Sequence, residues 1–396
     1  IGIITAVAAF ALFNALKALG IGRSLTMMES ITAQSIAVVA AYTPAPLFSS
    51  MAAYTLTKHQ MIPLWQAIPW IATGFSVGGF MAFFLKRTYV NSNPFRYPFP
   101  EGVGAGTVTR EMHAGEKGQK KKILMLIAST IAAGCFMLFR SASTLAHLSA
   151  HLVKFTIPEY LDRAIFKLLK LNPTIGGYTL NQLAIGFETD IVLGATGMLV
   201  SLRSGASMFL GAMINYFFIA PILMKHGIIN PAGGFQAIVG WSVWFGGAVM
   251  FGAAIVSFFG RLLTRENLRS ILSNLRQASQ KHPDPIAHLE VPAWKSLPGV
   301  MVTGALFSVL TWRFFGTPIW VNLLTIVILL PLSILAVHAT AETGTTPGST
   351  TSKITQLTLS FIQPGQAVHN LMAAGMVAEA SLSTAQLCVD LRPGHM

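Results

Sequence analysis

Hydrophobic and polar positions along the 396-residue chain fall into long apolar runs separated by short polar stretches. Runs of roughly 18 or more apolar residues match the ~20 helical residues needed to cross a ~30 Å hydrocarbon layer. They place candidate spans at 1–19, 31–56, 62–86, 122–146, 178–201, 204–224, 234–260, 292–314 and 318–338. A tenth region, 354–390, is apolar but interrupted by glycine and proline. The two-residue alternation of a membrane barrel is absent, and unpaired strand backbone in lipid is expensive. The pattern therefore predicts an all-α, polytopic transmembrane bundle of about ten spans with broken or re-entrant helices.

Composition agrees. Only 10% of the residues are charged and 53% are hydrophobic, whereas soluble domains carry about a quarter charged residues. The net charge of +13 raises nucleic acid as a partner, but its position argues for membrane topology instead. Segment 86–122 carries eight lysines and arginines against three glutamates, and 261–295 carries six against three carboxylates. Both are expected on the cytoplasmic side of the cell membrane. The four candidate spans between them, an even number, make that assignment self-consistent. Residues 147–177 then fall outside, where PEYLDRAIFKLLK, 158–170, reads as an amphipathic helix lying along the lipid surface. Cys135 and Cys388 are isolated and read as small apolar residues in helices.

The clearest internal boundary is TRENLRSILSNLRQASQKHPDPIAHLE, broken by Pro283 and Pro285. It divides a first transmembrane half, 1–260, from a cytoplasmic amphipathic linker, 261–291, and a second half, 292–396. The chain begins at Ile1 within an apolar run, so its N-terminus is expected to be incomplete. Gly74 and Gly78 in WIATGFSVGGF form a GxxxG step suited to close helix packing. Two echoes, FETD at 187–190 against AETG at 341–344 and ESITAQ at 29–34 against EASLSTAQ at 379–386, suggest inverted or duplicated halves.

Several stretches together resemble the oligopeptide transporter family, which includes the yellow stripe-like transporters of metal chelates. NPFRYPFPEGVGAGTVTREMHAGEKGQKKK, 93–122, is similar to its Pro-Phe-Pro-Glu-Gly run after a basic helix end, followed by a short helix. SLTMMESITAQSIAVVAA, 24–41, IVLGATGMLVSLRSGASMFLGAMINYFFIAPIL, 191–223, and TSKITQLTLSFIQPGQAVHNLMAAGMVAEASLSTAQLCVDLRPG, 351–394, resemble further family segments in the same order. The family's bacterial pattern near Gly-Glu-Thr-Asp reads Ala341, Glu342, Thr343, Gly344 here, so its last carboxylate is absent. Family members continue beyond LRPGHM, so the second half is expected to be incomplete. The resemblance implies a secondary transporter, driven by proton coupling, for small peptides or peptide-like metal chelates. The alternative is a non-transporting subunit of a membrane complex that kept the fold, and a place in an oligomer stays open.

Ionisable residues at membrane depth are the candidate site, since each costs about 2.5–3.5 kcal/mol on the insertion scale. Glu188 and Asp190 sit between Gly186 and Gly194. They read either as a carboxylate pair in an unwound span or as part of an outer turn before a span starting at Ile191. Arg203 reads as a cytoplasmic anchor or as a clamp for a substrate carboxylate. HATAETGTTPGSTTSK, 338–353, follows the apolar run ending at Val337. Its hydroxyls and glycines suit either an unwound segment whose carbonyls and side chains supply ligands or a plain polar loop between two spans; the first is the site reading. There Glu342 is the titratable group, Thr343 and Thr345 are hydroxyl ligands, and Lys353 and Gln356 begin the returning half-helix. His147 and His151 share a helical face but have no third metal ligand in sequence. HExxH, GxxxxGK[ST] and GxSxG are absent, so no metal, cofactor or enzymatic activity is expected.

Overall fold

The computed structural model describes residues 2–42, 45–90, 97–113, 119–141, 156–262 and 293–395. The chain is mostly helical. Its elements run α1 Gly2–Ala18, α2 Met27–Tyr42, α3 Ala45–Lys58, α4 Leu64–Tyr89, α5 Pro100–His113, α6 Gln119–Arg140 and α7 Leu161–Leu169. A small antiparallel hairpin follows, β1 Thr174–Ile175 with β2 Tyr178–Thr179, pairing Thr174 with Thr179. Then come α8 Ile191–Leu199, α9 Leu202–Met213, a π-helical stretch Ile214–Ile219, α10 Ala220–Lys225 and α11 Gly234–Leu262. The last elements are α12 Ala293–Phe315, α13 Ile319–Thr343, α14 Gly348–Ile362 and α15 Ala367–Leu391. The linker beyond Leu262, and His147 with His151, lie outside the described residues.

Among the described residues, five helices are long and apolar enough to cross a membrane: Leu64–Lys86, Leu202–Lys225, Lys295–Phe315, Ile319–Thr343 and Ala367–Leu391. Thr5–Lys17 and Ala128–Arg140 are shorter apolar helices. The protein is a multi-pass membrane protein. Two expected spans divide. In 31–56 there are two helices, α2 and α3. The expected span 178–201 is not one helix. Positive φ at Gly176 and Gly177 turns the hairpin, Asp190 caps the start of α8 by accepting from Val192 N at 2.8 Å, and Ser201 caps α9. Periodicity could not weigh these caps against an apolar composition that suits a membrane helix equally well.

The described residues form two compact units, 1–109 with 244–396, and 110–243. In the first, α15 is the centre, packed against α2, α3, α4, α13 and α14, while α4 also packs along α12. Small residues let the backbones meet. A Cβ on Gly78 would lie 2.6 Å from Ser383 Cβ and 2.8 Å from the Ala380 carbonyl oxygen, so only glycine fits α4 against α15 there. Gly74 faces Phe307 and Leu47, so the GxxxG step is a packing device, as read. On the α4–α12 side, buried Trp70 donates Nε1–H to Thr311 Oγ1 at 3.0 Å and packs on Phe307 and Phe315. The second unit has its own apolar core of Leu183, Ala220, Leu223, Met224, Ile229 and Ile238. It also contains the amphipathic helix expected within 158–170, observed as α7.

Candidate functional site

Helix α13 runs six residues past Val337 and ends at Thr343. The threonines that suggested unwinding are part of the reason. Thr340 and Thr343 donate their hydroxyls back to the carbonyls of Ala336 and Ala339, both at 2.7 Å, so they cost the helix no unmet polar group. The chain breaks only over 344–347. Gly344 takes φ +73° and closes the helix by donating its N–H to Thr340 O at 2.9 Å, a left-handed cap that glycine adopts without a Cβ penalty. Thr345 N donates to Thr343 Oγ1 at 3.1 Å, and the Thr340 and Thr346 hydroxyls bond at 2.9 Å. Helix α14 restarts at Gly348.

The PFPEG run packs against this break. Phe99, fully buried, takes φ +44°, unfavourable for a bulky residue. It is held there by its N–H bond to Ala341 O at 2.9 Å. Pro100 lies against Gly344, where a Cβ would come within 3.2 Å of its ring. Gly102 abuts α15 so closely that a Cβ would sit 2.5 Å from the Val389 carbonyl oxygen. The N-terminus of α5 is thereby wedged between the C-terminal ends of α13 and α15.

That wedge brings Glu101 within electrostatic range of Asp390. Along α15, Glu379, Ser383, Gln386 and Asp390 recur at i, i+4, i+7 and i+11, one face of the helix. At ~1.5 Å rise per residue the row is about 16 Å long. All four side chains are buried, Glu379 completely. Ser383 donates to Glu379 Oε1 at 2.8 Å, and Gln386 sits beside the Asp390 carboxyl. Glu379 Oε2 and Asp390 Oδ2 have no hydrogen-bond partner among the described residues. Burial also raises the Glu101 carboxyl above its ordinary value. Two carboxyl groups with unused oxygens, Glu379 midway along a membrane-length helix and Asp390 at its C-terminal end, form a row able to accept protons or a cationic group.

The residues expected from sequence fall in two places. Glu342, exposed in the last turn of α13, faces His338 Nε2 at 3.7 Å, a neighbour one turn back. Thr343 and Thr345 border the break. Lys353, half-buried in α14, holds Nζ 5.3 Å over the Trp244 ring, and Gln356 lies half-buried further along α14. Glu188, Asp190 and Arg203 belong to the other unit. Arg140, 14% exposed at the end of α6, pairs with Glu188 at 2.5 Å and Asp190 at 3.5 Å. Glu188 also bridges to Tyr160, so this pair sits in a tied-down turn before α8. Arg203 is exposed in the first turn of α9. Glu379, Asp390 and Glu101 were not singled out, although the E-x3-S-x2-Q-x3-D spacing within an apolar helix is a readable signal. Among the described residues, no group of three or more histidines, cysteines or carboxylates is placed to hold a metal ion.

The sequence was also compared with known proteins. The profile of the family described as OPT oligopeptide transporter protein matches residues 1–396. A Saccharomyces cerevisiae protein described as "Putative oligopeptide transporter YGL114W" is 20% identical over 275 residues. That match covers 57% of this chain and 38% of the yeast protein. With the helical membrane architecture, the PFPEG wedge and a profile match along its whole length, the chain belongs to the oligopeptide transporter family.

Proposed function

We propose that the chain works in a secondary active transporter, proton-coupled, that moves small peptides or peptide-like metal chelates across the cytoplasmic membrane. The observation that carries the reading is the buried row on α15, ending at Glu101. A carboxyl group with an unused oxygen is costly at membrane depth and is retained where it binds something. Proton carriage by Glu379 and Asp390 fits that need. The α13–α14 break supplies the polar edge: Thr343 and Thr345 offer hydroxyls, Glu342 a carboxylate for a substrate amine or a proton, and Lys353 and Gln356 donors for a substrate carboxylate. Glu188 and Asp190, tied to Arg140, and Arg203, exposed in α9, are further charged positions that substrate could meet. The boundary at 261–291 between two duplicated halves belongs to the same proposal.

The test is uptake of labelled di- to tetrapeptides and metal–chelate complexes by full-length protein in proteoliposomes under an imposed pH gradient. The expected result is gradient-driven accumulation of one of these classes, with Glu342→Gln binding substrate normally but losing its response to the gradient. No gradient-driven flux of any of them, with folded protein, would favour a non-transporting subunit. Undiminished gradient-driven uptake in Glu342→Gln would remove Glu342 from the coupling machinery.

A further inference from the structure

Helix α7 carries two opposed faces. Leu161, Ile165 and Leu168 form one, all solvent-exposed, with Leu168 83% exposed. Arg163 and Lys167, one turn apart, lie on the other side, and Lys170 follows as the left-handed residue that ends the helix. The basic side opens into a cavity of about 480 Å3, whose lining includes Asp162, Arg163, Lys167, Lys170, Asn172 and Asn181. Like charges at this spacing repel along a helix. Placement near the helix C-terminus favours Lys167 and Lys170 but accounts neither for Arg163 nor for the cavity. The one carboxylate in the wall does not neutralise them at short range. Asp162 Oδ1 instead accepts the Phe187 N–H at 2.8 Å. Among the described residues, no salt bridge engages any of the three cations. Arg163 lies 3.8 Å over the Tyr160 ring, with its buried Nε unpartnered.

We infer that this cavity is a binding site for a phosphate group. Three cations and one carboxylate leave an excess of two positive charges, matched by a phosphate dianion and in surplus for a single carboxylate. A guanidinium lying over an aromatic ring keeps N–H groups available for paired donation to oxyanions, and Asn172 and Asn181 add neutral donors. A phosphate dissolved in water and the phosphomonoester headgroup of an adjacent phosphatidic acid are the two sources of that chemistry.

Full-length protein, delipidated in detergent, would be titrated with inorganic phosphate by calorimetry, and lipid retained from nanodiscs containing phosphatidic acid would be read by native mass spectrometry. Lys167 and Lys170 are exposed, so the double variant Lys167→Gln, Lys170→Gln is expected to fold; its thermal transition would check this. Saturable phosphate binding that weakens about tenfold or more in the double variant supports the site with a water-borne ligand. Phosphatidic acid retention that the variant loses supports it with a lipid source. Neither signal, or equal signals in wild type and folded variant, overturns the inference. Acetate competing as strongly as phosphate overturns the assignment to phosphate.

Discussion

Glu101 occupies the first turn of α5, where the helix dipole favours an ionised carboxylate by about 0.3–1 kcal/mol. Burial outweighs that and raises its proton affinity in the folded protein. The folded state therefore holds this proton at pH values where the unfolded chain, near 4.5, has released it. The associated stability is complete below 4.5 and falls as pH rises through the higher folded value, then levels off. Relative to wild type, Glu101→Gln is thus expected to gain stability as pH is raised above 4.5, read as the difference between their melting temperatures in detergent. Parallel curves across that range would show that Glu101 releases its proton as freely folded as unfolded. At this scale the sequence was an uneven guide. Glu342 drew attention because it sits among threonines and glycines, and a local string shows that. Glu379 is equally acidic, but its importance comes from five helices packed around α15, which no local string displays.

At the scale of elements, apolar runs located helices well and their ends poorly. Membrane-length runs at 62–86, 234–260, 292–314 and 318–338 each became one helix. The errors came where a few polar residues decide: Asp190 and Ser201 as caps cut 178–201, and threonine hydroxyls bonded to the preceding turn carried α13 past its apolar end. The glycine step in α4 was read correctly because it depends on spacing alone. It also gives a sharp contrast between neighbours. A Cβ at Gly78 meets Ser383 Cβ and the Ala380 carbonyl of α15, whereas at Gly79 it meets nothing within 4 Å. Gly78→Ala is expected to destabilise by roughly 1–3 kcal/mol, since backbone and Cβ atoms must move apart. Gly79→Ala should be neutral or stabilising by up to about 1 kcal/mol through helix propensity. Thermal unfolding of both variants in the same detergent reads this directly, and equal effects would contradict the tight α4–α15 contact.

For the whole molecule, composition was decisive early: too few charges for a water-facing surface left lipid as the solvent, and the helical membrane fold followed. What composition could not reveal is that the least apolar of the five membrane-length helices is the most enclosed. Helix α15 tolerates Glu379, Ser383, Gln386 and Asp390 because protein, not lipid, surrounds it. On the proposed function, this row moves protons with substrate. Glu379→Gln keeps an oxygen that can accept the Ser383 hydroxyl and leaves the packing volume unchanged, but it cannot carry a proton. The direct measurement is transport by full-length Glu379→Gln in proteoliposomes, with substrate exchange at equal pH and uptake under a pH gradient measured side by side. Exchange near the wild-type rate and loss of gradient-driven accumulation are expected. Accumulation driven by the gradient at the wild-type rate would contradict that proposal.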